Sequence, residues 1–247
     1  MVSLNRKNLR YGRHLLVDAA RRMEVVERIL SERRDRSIRL VDTVVLEILD
    51  AVDLPRGPDV QGPFVETLGR GWAGRKAPDC RIVIDAEAFH DLEGVQRADS
   101  VLKTWLHESI HGRQPYALGF AEEWRLYRGF EEGLAEGLAR AIASELELQP
   151  VLAGFNYYVA AYQTLAGALN IPVEVLWRRL WQCRVGEVAN GFSTAVADVI
   201  VDSGGDSPSS LQRARLFARA RNIFGTHNSV QLPDEQLLLK TWHEVLR

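Results

Sequence analysis

One short run constrains the fold of this chain more than any other. Cys80-Arg81-Ile82-Val83-Ile84-Asp85, apolar and β-branched at its centre, is the best strand in 247 residues. Beyond it the apolar spacing is helical. Helices are expected over about 99–111, stopped by Gly112 and Pro115, and over 121–148, ending before Pro150. Others are expected over 157–169, 172–183, 193–201 and 234–246, with one more after Ser207 as N-cap and Pro208 at its first position. Towards the N-terminus, Leu15, Leu16, Ala19, Ala20, Met23, Val26 and Leu30 fall near one stripe, and 38–52 repeats the pattern. Between Leu54 and Pro78 lie nine Gly and Pro residues, read as a loop with one short strand around Phe64–Leu68. The expected fold class is therefore α+β, predominantly α-helical, with a small sheet. The expected division is an N-terminal helical region, 1–75, and a second domain, 76–247.

Composition narrows the class of protein. With 46% hydrophobic and 26% charged residues the chain can bury a core, which excludes disordered and fibrous classes. Two cysteines, Cys80 and Cys183, make neither a disulfide framework nor a structural zinc site by themselves. No apolar run is long enough to span a membrane, and charges interrupt residues 1–22 where a secretory signal would be apolar. A soluble, cytoplasmic protein is expected. The formal charge is −2, but the first 40 residues carry eleven basic and five acidic side chains, net +6 against −8 for the rest. Without interleaved aromatics or a recognition helix this basic run reads as a solvated helix face, not a nucleic-acid surface.

The chemistry concentrates in Trp105-Leu106-His107-Glu108-Ser109-Ile110-His111. His107 and His111 are four apart, so on a helix both imidazoles leave one face and can bind one ion. Glu108 can reach a water on that ion without being a ligand. This is the His-Glu-x-x-His arrangement of zinc metallopeptidases, in which zinc lowers the pKa of bound water. A catalytic zinc also needs a third protein ligand. Phe130-Glu131-Glu132-Gly133-Leu134-Ala135-Glu136-Gly137 follows, with twenty residues between His111 and Glu132, enough for a turn and a returning helix. Glu132 and Glu136 share a helix face, whereas Glu131 points about 100° away and is the poorer ligand. Glu122 and Glu123 are fallback ligands if the register differs. A solvated face is the plain alternative for Glu131, Glu132 and Glu136. Gly133 and Gly137 are costly in mid-helix and fit a place where another helix or the metal centre comes close.

His-Glu-x-x-His followed by Glu-Gly-Leu-Ala-Glu resembles the gluzincin group of zincin metallopeptidases. The resemblance covers residues 80–165 and implies a zincin-like catalytic unit with additional helices. It implies one zinc ion on His107, His111 and Glu132, Glu108 as general base, and Glu136 orienting a ligand histidine. It also implies that Arg81–Asp85 is the edge strand lining the substrate cleft, open to an extended peptide. Such enzymes supply a Tyr or His to the oxyanion. Tyr158, beside Tyr157 and Tyr162, is the candidate here, and His227 a possible substrate contact. His14, His90 and His243 have no partner at ligand spacing, and nothing gives Arg113 or Trp124 a task.

The resulting expectation is a zinc-dependent hydrolase acting on a peptide or protein. Two alternatives stand beside it: a regulatory zincin-fold protein whose basic N-terminal region contacts nucleic acid or a protein partner, and a metal hydrolase of a different bond.

Overall fold

A computed structural model describes residues 16, 18–31, 36–51, 61–69, 72–77, 79, 81–113, 121–151, 154–181, 188–226 and 234–246, with backbone only at 37, 40, 51, 121–127, 178 and 188–191. The elements in chain order are α1 (Ala19–Leu30), α2 (Arg36–Ala51), β1 (Gln61–Val65), β2 (Gly74–Lys76), β3 (Arg81–Ile84), a 3-10 turn (Ala86–Phe89) and α3 (Gly94–Gly112). Then come α4 (Ala121–Glu145), α5 (Asn156–Ala168), α6 (Val173–Trp181), α7 (Val188–Asp202), α8 (Ser210–Thr226) and α9 (Glu235–Leu246). The protein is thus α+β and mostly helical, with one small sheet among the described residues. No helix among them is long and apolar enough to cross a membrane.

The chain divides into two compact units. The first holds the described residues within 2–114 and 138–152. Its sheet has the order β1-β3-β2, with β1 parallel and β2 antiparallel to β3. Ile82, Val83 and Ile84 are buried, as their β-branched run demands. Asp85 closes β3 by accepting from Leu68 N (2.8 Å) and from Glu87 N (3.0 Å), which caps the 3-10 turn leading to α3. Helix α1 begins at Asp18, whose carboxylate accepts from Ala20 N at 2.9 Å. It turns Val25, Val26 and Ile29 inward and packs on α3 and β1; α2 packs on α1 and α3. The N-terminal helices therefore share the core of β3 and α3 and form no lobe of their own.

Two ionic contacts fix α3, the first of them buried on both sides. Asp99 accepts from Arg22 Nε at 2.8 Å and from Gln149 N at 2.8 Å. Arg113 donates to Asp50 Oδ1 (2.7 Å) and to Leu46 O (3.1 Å), tying the end of α3 to α2. Buried guanidinium and carboxylate groups persist only when paired in this way. Part of the basic N-terminal run is thereby accounted for: Arg22 is in the core, and Arg28 pairs with Glu24 one turn away.

The second unit holds the described residues within 115–137 and 153–247. Helix α5 packs on α6, α8 and α9, and α6–α7, α7–α8 and α8–α9 are neighbours in turn. Phe130 meets Phe224 and Tyr162 meets Phe224 with centroids 4.5 and 4.6 Å apart. Trp242 is buried and donates from Nε1 to Ala161 O at 3.1 Å, which locks α9 onto α5. Helix α8 starts later than Ser207 implies. Ser209 and Gln212 form a reciprocal cap, Ser209 N to Gln212 Oε1 and Gln212 N to Ser209 Oγ, with Pro208 preceding it.

Candidate metal centre

Helix α3 carries two of the expected ligands on its inner face. Ala98, Val101, Leu102, Trp105, Leu106 and Ile110 are all buried around them, so the helix is held on several sides. His107 and His111 are buried too, with Nε2 atoms 3.0 Å apart and rings nearly perpendicular at 4.7 Å. Two imidazole nitrogens on one tetrahedral zinc, each about 2.05 Å from the ion, would lie about 3.3 Å apart. The pair is already close to the required bite.

Glu108 points towards the sheet. A Cβ placed on Gly74 would lie 2.7 Å from Thr104 Cγ2, 3.1 Å from Glu108 Cγ and 3.2 Å from Glu108 Oε1. Only a glycine lets β2 come this close to the candidate base. This corrects the expectation that Arg81–Asp85 is the cleft edge: β3 is the central strand, paired on both sides, and β2 is the edge strand beside Glu108. Ala77 N donates to Arg81 O and Asp85 N donates to Ala73 O, so odd-numbered residues of β2 face β3. By alternation the amide and carbonyl of Gly74 face away from β3.

Helix α4 carries Glu132, the third expected ligand. Glu131, Glu132 and Glu136 are buried, with Glu136 at 0% exposure, so the solvated-face alternative fails. Carboxylates are kept in such places only by specific partners. Arg128, one turn earlier, donates from Nε to Glu132 Oε1 at 3.4 Å; its own side chain is 41% exposed against 5% for Glu132. The glycines explain the tight packing here. A Cβ on Gly133 would meet Tyr162 Cε2 at 2.8 Å and Tyr158 Cβ at 2.9 Å, and one on Gly137 would meet Trp177 Cζ2 at 2.4 Å. Neighbouring aromatic side chains of α5 and α6, rather than small-residue flexibility, are what these positions serve. Tyr158 thus lies along α4 beside Glu132. Burial raises the pKa of its phenol; the nearby Arg128 lowers it and the Glu132 carboxylate raises it. Tyr162 instead donates to Phe130 O at 3.0 Å, a structural role.

His107, His111 and Glu132, all buried, each offer a ligand atom, and these atoms lie within 4.8 Å of one another. Two imidazoles and one carboxylate suit zinc and leave a fourth position open. The remaining sequence candidates fall away from this centre or outside the described residues. His90 and His243 are exposed surface side chains, and carbonyl and carboxylate neighbours of His90 (Glu87 first, then Asp91) raise its pKa. Arg113 is structural. His14 and His227 lie outside the described residues, as do the side chains of Glu122, Glu123 and Trp124. Two residues that the sequence reading did not single out are Gly74 and Arg128. Arg128 had a signal, its spacing four before Glu132; Gly74 had none, being one of many glycines in a breaker-rich stretch.

No family model, no curated protein and no solved structure matches this chain.

Proposed function

We propose that this chain is a zinc-dependent peptidase whose ion is held by His107, His111 and Glu132. The observation that carries this reading is the grouping of these three buried donors, in a chain that also sets a carboxylate next to the first of them. A zinc ion held there would polarise a carbonyl group and acidify a water molecule. Glu108 accepts the proton of the attacking water on its carboxylate and delivers it to the departing amine. Tyr158, kept protonated by burial, donates its hydroxyl hydrogen towards the oxyanion. Glu136, wholly buried, orients a ligand histidine.

The peptide, rather than another hydrolysable group, is favoured by β2. An extended chain laid along this edge could pair with the outward amide and carbonyl of Gly74, directly beside Glu108. The test is Glu108→Gln in the zinc-loaded protein. It should retain one ion per chain while hydrolysis of a peptide library falls by about 10²–10⁴. Unchanged turnover would remove Glu108 from the reaction, and loss of the ion would make it a ligand instead of a base.

A further inference from the structure

We infer that α8 is a docking surface for double-stranded DNA, held by phosphate contacts from Arg215, Arg219 and Arg221. The inference concerns the second unit alone and does not depend on the metal-centre reading.

Helix α8 carries four arginines, Arg213, Arg215, Arg219 and Arg221, and no Asp or Glu along its 17 residues. Leu216, Ala220, Ile223 and Phe224 form its buried face and fix the helix against its neighbours. Arg215, Arg219 and Arg221 are exposed, as are Ala214, Ala218 and Gly225. Among the described residues no carboxylate pairs with these three guanidinium groups. Arginines on other helices are paired: Arg28 with Glu24, Arg97 with Glu27 and Arg179 with Asp202. A helix face that serves only solubility intersperses both signs of charge. This one carries a single sign.

The arrangement of the charges points to the partner. At about 100° per residue, Arg215 and Arg219 stand one turn apart on one flank of the exposed face, and Arg221 stands about 120–160° round on the other. Ala214, Ala218 and Gly225 lie between the flanks, too short to hold a partner away from the helix. An α-helix, about 10–12 Å across, enters the B-form major groove, about 12 Å wide. Cations on both flanks then meet phosphates on both walls of the groove. A single acidic peptide would lie along one flank and leave the other unneutralised. Contacts to phosphate position a protein on the duplex without reading its sequence, so mixed-sequence DNA is a sufficient probe.

The test is fluorescence anisotropy of full-length protein with a short labelled DNA duplex of mixed sequence, over a range of salt. Three phosphate contacts predict a slope of log K against log salt of about −2.7, which is about a 40-fold loss of affinity between about 50 and 200 mM. The double variant Arg215→Gln/Arg219→Gln should bind more weakly, with the slope reduced to about −0.9 and the loss over the same range to about 3–4-fold. Arg215→Lys/Arg219→Lys should keep the wild-type slope, which separates lost charge from a damaged helix. Arg36→Gln/Arg39→Gln, a pair of exposed arginines on α2, should behave as wild type. No binding of the duplex at about 50 mM salt, or a slope unchanged in Arg215→Gln/Arg219→Gln, would overturn the inference. So would a slope that falls in Arg36→Gln/Arg39→Gln instead, or polyglutamate displacing the duplex at equal charge concentration.

Discussion

Replacing Gly74 by Ala tests the contact between β2 and the candidate base. The new Cβ would stand 2.7 Å from Thr104 Cγ2, about 1 Å inside an ordinary carbon–carbon contact. Thr104 cannot turn its methyl group away freely, because its hydroxyl donates to Ser100 O at 2.9 Å in a buried setting, and breaking that bond costs about 1 kcal/mol. Glu108 Cγ and Oε1, at 3.1 and 3.2 Å, must give as well, or β2 must retreat from α3. Overpacking of this kind costs about 1–3 kcal/mol, and the stiffer unfolded chain returns about 0.4–1. The net loss should be about 1–2 kcal/mol, seen as a lower urea midpoint at unchanged slope. Turnover should fall further, by about 10², because a displacement near 1 Å at a catalytic group has that effect. Zinc stoichiometry should stay the same, since neither His107 nor His111 is touched. Gly167→Ala is the control: it is an exposed helical site where a new Cβ would lie 4.0 Å from Leu239 Cδ1, and it should be neutral or stabilising by up to about 1 kcal/mol. If Gly74→Ala matches wild type in both stability and turnover, β2 does not press on Glu108 and the argument is wrong.

Two further substitutions probe each unit separately. Burial raises the pKa of Asp42 from 3.8 to about 6, so the folded protein holds a proton that the unfolded chain releases, and this group removes stability as pH rises from about 4 to 6. Asp42→Asn should therefore be more stable than wild type at pH 7 by about 1 kcal/mol, allowing for screening at a partly exposed site, and no more stable at pH 3; a gain at both pH values would refute the assignment. Gly137→Ala should lower Tm by about 4–8 °C in a thermal melt, because its Cβ would sit 2.4 Å from the buried Trp177 ring, and an unchanged Tm would show that the ring can move aside.

The helices were legible because their buried faces repeat at helical spacing. Val101, Leu102, Trp105, Leu106 and Ile110 mark α3 without help from anything else, and the candidate pair His107 and His111 is read from the same register. The strand of Ile82, Val83 and Ile84 was equally plain. Its position in the sheet was not, because side-chain pattern reports burial and says nothing of which strands flank it. β2 leaves no mark in the sequence for a related reason: Gly74-Arg75-Lys76 has no β-branched residue, and its extended form is set by pairing with β3. Helix α8 starts two residues later than the Ser207–Pro208 pair implies, because the reciprocal Ser209–Gln212 bonds supply the cap. At the candidate site, residue spacing named the donors, while the burial of Glu131, Glu132 and Glu136 and the close approach of Gly74 to Glu108 depend on contacts distant in sequence.

X-ray absorption at the zinc edge, on protein loaded with one equivalent of zinc, addresses the central claim most directly. The account predicts two imidazole nitrogens at about 2.0–2.1 Å and a carboxylate oxygen at about 2.0–2.2 Å, with one nitrogen lost in His107→Ala and the carboxylate lost in Glu132→Gln. A spectrum that is the same in wild type, His107→Ala and Glu132→Gln would mean that the ion binds elsewhere and that these three side chains form no metal centre.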